Sequence, residues 1–229
     1  MPDHADETDP DRRPLCTVDA VIMTIEDERL RVLLHRRPRA PYDGAWALPG
    51  GWIHADEDAD TQGAMQRVIK DKTGLPGYYL EQLRTYSGPV RDPRGWSVSV
   101  AHLALVPRAD LALEDRPDVT LADVDALPPL AFDHDAIVAD GVERLRGKGA
   151  YSSLPAALLG EEFTLSELKR AYEIVLGNAI DLSSFKRKLI QLDMIEESGK
   201  KTKSGSKRPA MLYRLTGPAR TFNRSLGGQ

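Results

Sequence analysis

The 229-residue chain is predicted to fold as two units, an α/β domain with a mixed sheet sandwiched by helices and a smaller C-terminal domain of winged helix-turn-helix type. Three observations lead there. Strand-like runs interleave with helical periodicity over about 130 residues. The remainder then reads helix, helix, strand, basic loop, strand. Charge divides at the same place: up to Ala150 there are 18 basic and 27 acidic residues, net −9, and beyond it 13 and 8, net +5, within an overall −4.

Composition narrows the function classes. An apolar fraction of 41% suits a globular protein rather than a disordered or collagenous one. No charge-free run reaches the roughly 18 apolar residues of a spanning helix, and the N-terminus is acidic, so neither a membrane span nor a secretory signal is expected. A cytoplasmic location follows as the expectation. The single cysteine, Cys16, excludes an internal disulfide and a cysteine-rich zinc site, in keeping with a reducing compartment. A mildly acidic average does not exclude a nucleic-acid partner, because attraction to polyanions depends on local charge.

Residues 1–14 are rich in Asp, Arg and Pro, too polar to offset their ordering entropy, and are expected to be a disordered leader. From Leu15, two β-rich runs flank Glu26-Asp-Glu-Arg29, which predicts a hairpin. Asp60 to Thr73 carries Ala64, Met65, Val68 and Ile69 at helical spacing, with Gly74 in the position that favours a left-handed residue after a helix. Asp92-Pro-Arg-Gly95 is a turn signal ahead of a strand from Trp96 to Val106. Asp133 to Gly147 is a second helix, with Ile137, Val138, Val142 and Leu145 on one side. The first domain is therefore placed at 15–149, the second at 150–216, and a tail at 217–229. In the second, Thr164-Leu-Ser-Glu167 is a capping box opening a helix that stops at Gly177. Asp181 caps another that is expected to bury Leu182, Phe185, Leu189 and Leu192. Met194-Ile-Glu-Glu, the stretch Ser198–Pro209 and Ala210–Leu215 complete a strand, loop and strand.

The run Trp46-Ala-Leu-Pro-Gly-Gly51, followed by Arg67-Val-Ile-Lys-Asp-Lys-Thr-Gly-Leu75, resembles the Nudix family box. Gly51 to Glu57 fits its first spacing, and Arg67, Ile69, Gly74 and Leu75 fit its end, although nine residues rather than seven separate Glu57 from Arg67. The family's three helical glutamates lie at i, i+3 and i+4, on one face, where they hold Mg²⁺ against a pyrophosphate. Here those positions are Val68, Asp71 and Lys72. The expectation is a hydrolase scaffold without efficient hydrolysis, with no catalytic residue and no metal site; weak residual turnover stays open. A lost metal site need not mean a lost pocket. Ligand-binding candidates are Arg36, Arg37, Trp46, Gly50, Gly51, Glu57, Arg67 and Asp71, since guanidinium forks suit pyrophosphate and an indole can stack on a base. Arg39, Tyr42 and Tyr86 are further candidates, and each arginine taken alone is equally a solvated surface residue. His35, His54, His102 and His134 are too scattered for a metal site.

Opposite the apolar face of the second C-terminal helix stand Ser183, Arg187 and Gln191, flanked by Ser184, Lys186 and Lys188. Arg187 can pair with guanine and Gln191 with adenine, while Lys186 and Lys188 neutralise phosphates. Lys200-Lys-Thr-Lys-Ser-Gly-Ser-Lys-Arg208 puts five cations (Lys200, Lys201, Lys203, Lys207, Arg208) in nine residues, which suits a wing tracking the phosphate backbone. Either element alone is equally a solvated surface; together and in this order they point to double-stranded DNA.

The two halves joined resemble the Nudix-related transcriptional regulators of NAD metabolism, the NrtR family. The likeness is carried also by Tyr79-Leu-Glu-Gln-Leu-Arg-Thr-Tyr86, Arg91-Asp-Pro-Arg-Gly95, Ser97-Val-Ser-Val-Ala101 and Ala131-Phe-Asp-His134, over about residues 15 to 216. It implies a homodimeric repressor of NAD-biosynthesis or salvage genes on a palindromic operator, released when ADP-ribose or a related nucleotide fills the Nudix pocket, with no cofactor required. The loop 54–62 and the segment 132–149 are expected to transmit the change. The competing reading is an active Nudix hydrolase, an ADP-ribose pyrophosphatase with a basic nucleic-acid- or protein-binding tail; a protein-interaction module without ligand is a third.

Overall fold

The computed structural model describes residues 13–73, 78–202 and 209–222, without the side chains of Lys72 and Thr73. Most of the expected leader, Gly74 and Leu75 of the box, and Lys203, Lys207 and Arg208 of the basic loop lie outside the described residues. Leu15–Glu26 forms β1 and Arg29–Arg36 forms β2, antiparallel with Met23 opposite Val32. Asp27 and Glu28 between them have φ of 49° and 58°, the two positive values of a tight hairpin turn whose twist suits its strands.

Trp46–Ala47 (β3), Gly50–Trp52 (β4), Tyr79–Gly88 (β5), Ser97–Leu105 (β6) and Val119–Asp123 (β7) complete a mixed sheet in the order β3-β2-β1-β6-β5, with β4 also on β1 and β7 on β2. β1 and β6 run parallel in register from Leu15 opposite Ser97 to Met23 opposite Leu105. Helix α1 (Thr61–Thr73) covers one face and α2 (His134–Gly149) the other. Alternation along β1 sorts its side chains: Val18, Ala20 and Ile22 pack with Ala64, Met65, Val68 and Ile69 of α1, while Val21 and Met23 pack with Ile137, Val138 and Leu145 of α2. A strand covered on both faces reads as a continuous apolar run, as Val18–Met23 does except at one residue. That exception is Asp19, buried in the strand.

The second unit contains Phe163–Thr164 (β8), Leu165–Leu176 (α3), Leu182–Gln191 (α4), Ile195–Lys201 (β9) and Met211–Leu215 (β10), with a small sheet ordered β8-β10-β9. The predicted capping box is present: Glu167 N–H donates to Thr164 Oγ1 (3.1 Å) and Thr164 N–H to Glu167 Oε2 (2.7 Å). Asp181 caps α4 through Ser184 N–H at 2.8 Å. Tyr172 of α3 meets Phe185 of α4 edge-on, ring centroids 5.1 Å apart, at the centre of this domain's core. Leu182, expected in that core, is instead 43% exposed: as the first residue of α4 it lies beyond the reach of α3.

The units are joined by contact as well as by chain. Leu154, Leu158 and Val175 belong to the core on the α2 side of the large sheet. A Cβ at Gly149 would stand 3.0 Å from Val175 Cγ1, so the end of α2 lies tight against α3. Arg170 of α3 also reaches Glu28 in the β1–β2 turn at 2.8 Å. No helix among the described residues is long and apolar enough to cross a membrane.

Candidate functional site

A cavity of about 240 Å³ opens between β1, β4, the turn before β6 and the start of α2. Its lining includes the buried Asp19 and His134 at the base, Gly50, Gly51 and Trp52 from β4, the nine-tenths buried Arg91, and Arg37, Arg39 and Arg94 towards solvent. The arginines are of two kinds. Arg91 is held by Asp133 at 2.9 and 2.7 Å, and Arg94 by Asp92 at 3.0 and 2.7 Å while its guanidinium lies 5.1 Å over Trp52. Arg37 and Arg39 have no carboxylate partner among the described residues; Arg37 donates from Nε to Pro41 O at 2.7 Å and stacks 4.7 Å from the Phe132 ring. Burial, then Arg94, draws the Arg37 pKa down from its usual value. A partly buried guanidinium beside another cation gains from an anion, and a diphosphate supplies one with bidentate geometry.

Asp19 stands at the base because Gly50 lets it. A Cβ at Gly50 would fall 2.1 Å from Asp19 Oδ1 and 2.8 Å from Val18 O, so only glycine lets β4 cross that carboxylate. Asp19 also accepts a hydrogen bond from Ser99 Oγ on the parallel strand β6. His134, 4% exposed, accepts from Leu48 N–H at Nδ1 (2.9 Å), which leaves its proton on Nε2, 3.7 Å from Asp19 Oδ1. Burial pushes the His134 pKa down against the pull of Asp19 and holds the ring neutral.

Of the residues proposed from sequence, Arg37, Gly50 and Gly51 line this cavity. Arg36 and Trp46 stack on each other with the guanidinium 4.7 Å from the indole, and Trp46 bridges to Leu130. Glu57, Arg67 and Asp71 lie outside the lining. Arg67 clamps Asp58 at 2.8 and 2.7 Å and donates to Trp52 O, fastening the loop before α1 to the sheet. The carboxylate that meets Arg67 is thus Asp58, one residue past the Glu57 that the motif spacing selects; Glu57 faces His54 at 3.1 Å. The Arg67 hydrogen bond lowers the Asp58 pKa to about 2. Val68 is 3% exposed and packed in the α1 core, and Asp71 is exposed. Tyr42 does not line the cavity but packs edge-on against the lining residue Phe132, ring centroids 4.9 Å apart, whereas Tyr86 donates to Asp140 on α2. Asp19, Ser99, Arg91, Arg94 and the role of His134 were missed; an aspartate inside an apolar strand is the signal that could have found the first.

On α4, Phe185 and Leu189 are buried, and Ser183, Lys186, Arg187 and Gln191 are exposed, with Ser184 and Lys188 half-buried. Between Arg187 and Gln191, Ile190 is 60% exposed, one helical turn from the basic pair Lys186 and Arg187. The basic loop begins at Lys200, which pairs with Glu162 at 2.9 Å, and at the exposed Lys201.

A nucleotide-type pocket in a Nudix-like sheet, carried by a chain that also presents a basic helix on a winged helix, defines a ligand-sensing regulator. Residues 17–141 match the NUDIX domain model, and 155–215 match that of the NrtR DNA-binding winged helix domain. The chain belongs to the NrtR family of Nudix-related regulators. It is 36% identical over 215 residues to the ADPR responsive transcriptional repressor NtrR of Acinetobacter baylyi, covering 92% of this chain and 85% of that one. It is also 36% identical over 128 residues to an ADP-ribose pyrophosphatase of Methanocaldococcus jannaschii, covering 56% and 72%. Among solved structures it matches Shewanella oneidensis NrtR in complex with a 27mer DNA (TM-score 0.85, 36% identity, 93% of this chain and 99% of that one). It matches the NUDIX domain of the same NrtR complexed with ADP ribose at TM-score 0.50 and 35% identity, over 58% and 90%.

Proposed function

We propose that the chain is a homodimeric, DNA-binding repressor of NAD-biosynthesis or salvage genes, with ADP-ribose or a close relative as the effector that releases it. The observation that carries this is the pairing, in one chain, of a pocket with two arginines that form no ion pair among the described residues and a winged helix whose reading helix exposes Ser183, Lys186, Arg187 and Gln191. The solved relatives with DNA and with ADP ribose support both halves. Arg37 and Arg39 hold the diphosphate, α4 reads base edges, and Lys201, Lys203, Lys207 and Arg208 follow the backbone. In this reading Arg67 supports the pocket wall by holding Trp52 O, and Arg36, Trp46, Glu57 and Asp71 do not touch the ligand.

The residues present do not fit a Nudix-type Mg²⁺ site. Its first helical position is the buried apolar Val68 and its last is Lys72, so Asp71 is the one carboxylate of the three and stands next to an ammonium-bearing residue. The pyrophosphatase relative keeps a second reading in play, a hydrolase with a basic tail. A gel shift on operator fragments with and without ADP-ribose, run beside a hydrolysis assay with Mg²⁺ or Mn²⁺, tests both. Release of the shifted band with intact ADP-ribose is the expected result; turnover at ordinary enzyme rates without DNA binding would overturn it.

A further inference from the structure

We infer that Asp19 and His134 form a hydroxyl clip at the base of the pocket, which selects ligands presenting a free sugar hydroxyl there. This rests on the ligand-pocket reading above and goes beyond it by naming the atoms that choose the ligand.

Each residue has one polar atom already committed. His134 Nδ1 takes Leu48 N–H at 2.9 Å, and Asp19 Oδ2 takes the Ser99 hydroxyl. The remaining atoms, a donor at His134 Nε2 and an acceptor at Asp19 Oδ1, stand 3.7 Å apart, too far to bond each other well. One oxygen about 2.8 Å from both closes that triangle. A hydroxyl fits because it gives its hydrogen to Asp19 and takes Nε2–H on a lone pair. A phosphate has only acceptors at this depth and is repelled by the carboxylate; an ammonium has only donors and meets Nε2–H head-on. Both side chains are at least nine-tenths buried, so their geometry exists before the ligand arrives. The cavity of about 240 Å³ is smaller than the roughly 300–1,000 Å³ of pockets that enclose a drug-sized ligand, so it houses the sugar end and leaves the diphosphate at the arginine-lined mouth.

The test is calorimetric titration of the full chain with ADP-ribose and its single-deoxy analogues at each ribose hydroxyl. One deoxy analogue is expected to bind at least about thirtyfold more weakly than ADP-ribose, because a buried site built for a hydroxyl is left with unpaired groups when the hydroxyl is missing. In Asp19→Asn, which presents a second donor to Nε2–H, ADP-ribose should fall to the affinity of that analogue and the difference between them vanish. If every deoxy analogue binds the parent chain within about threefold of ADP-ribose, the clip is wrong and the pocket assignment stands. If ADP-ribose does not bind at all, the pocket assignment itself fails and the clip with it.

Discussion

At the residue scale, what the side chains have in common is that packing, not exposure, sets their roles. Gly50→Ala places a methyl group 2.1 Å from a buried carboxylate oxygen, so β4 must lift from β1. The expected outcome is loss of ADP-ribose binding together with destabilisation of about 1–3 kcal/mol, the usual range for an overpacked core, read by urea unfolding. Asp58 gives a pH prediction with a definite sign. Its pKa of about 2 lies below the roughly 3.9 of an unfolded aspartate, so its contribution is complete above pH about 4 and is lost as pH falls towards 2. Unfolding curves between pH 5 and 2 should show this slope in the parent chain and a smaller one in Asp58→Asn; equal slopes would mean that the Arg67 clamp is absent in solution. Little of the site's base was legible beforehand. Asp19 meets Ser99 across 80 residues of sequence, and Leu48 meets His134 across 86, so no local pattern couples them. Leu-Pro-Gly-Gly was legible because the same glycines that a motif records are the ones that close packing demands.

At the scale of elements, periodicity and caps carried most of the reading. α1, α2 and α3 have core stripes written locally, α3 has its capping box as well, and Thr164→Ala should cost about 1 kcal/mol by removing the Oγ1 partner of Glu167 N–H, measurable as a lower unfolding midpoint. The two-residue β3 and three-residue β4 are too short to show a period, and their existence depends on pairing with β2 and β1. α4 shows how an intact apolar stripe can still mislead at its ends. Leu182 falls on the stripe and is exposed, whereas Ile190 lies off it, amid polar neighbours that should surround base edges. An exposed isoleucine beside Arg187 suits a thymine methyl group in the major groove. Replacing operator thymines by deoxyuridine should weaken binding by about 1 kcal/mol for each methyl in contact, near the value of one buried methylene. Ile190→Ala should lose that difference while retaining the salt dependence set by the lysines. Equal loss in both proteins would place Ile190 away from the bases.

At the scale of the whole molecule, the pocket and the reader are linked by one stiff element. His134 is the first residue of α2 and forms part of the pocket's base; Gly149 is its last and lies against Val175 and Leu176 of α3. A ligand held by His134 therefore bears on a helix of 16 residues, about 24 Å long, whose far end lies against the winged helix. In the proposed homodimer the two reading helices would have to fall about 34 Å apart on DNA, so a small rotation of that end would spoil both contacts at once. A difference of about 3 kcal/mol in the ligand's preference for the two arrangements would release the operator more than a hundredfold, and by reciprocity operator-bound protein must bind ADP-ribose more weakly by the same factor. Gly149→Ala separates transmission from binding. Its added methyl would lie 3.0 Å from Val175 Cγ1, so Val175 or the seam between α2 and α3 must give by a few tenths of an ångström, while the pocket at the other end of the helix keeps its lining. ADP-ribose affinity of the free protein should then change by less than about threefold, and the ratio of operator affinities with and without ADP-ribose should move by about tenfold or more. If that ratio is unchanged in a variant that folds and binds DNA, the signal does not travel along α2, and the Glu28–Arg170 contact between the β1–β2 turn and α3 becomes the other route across the same seam.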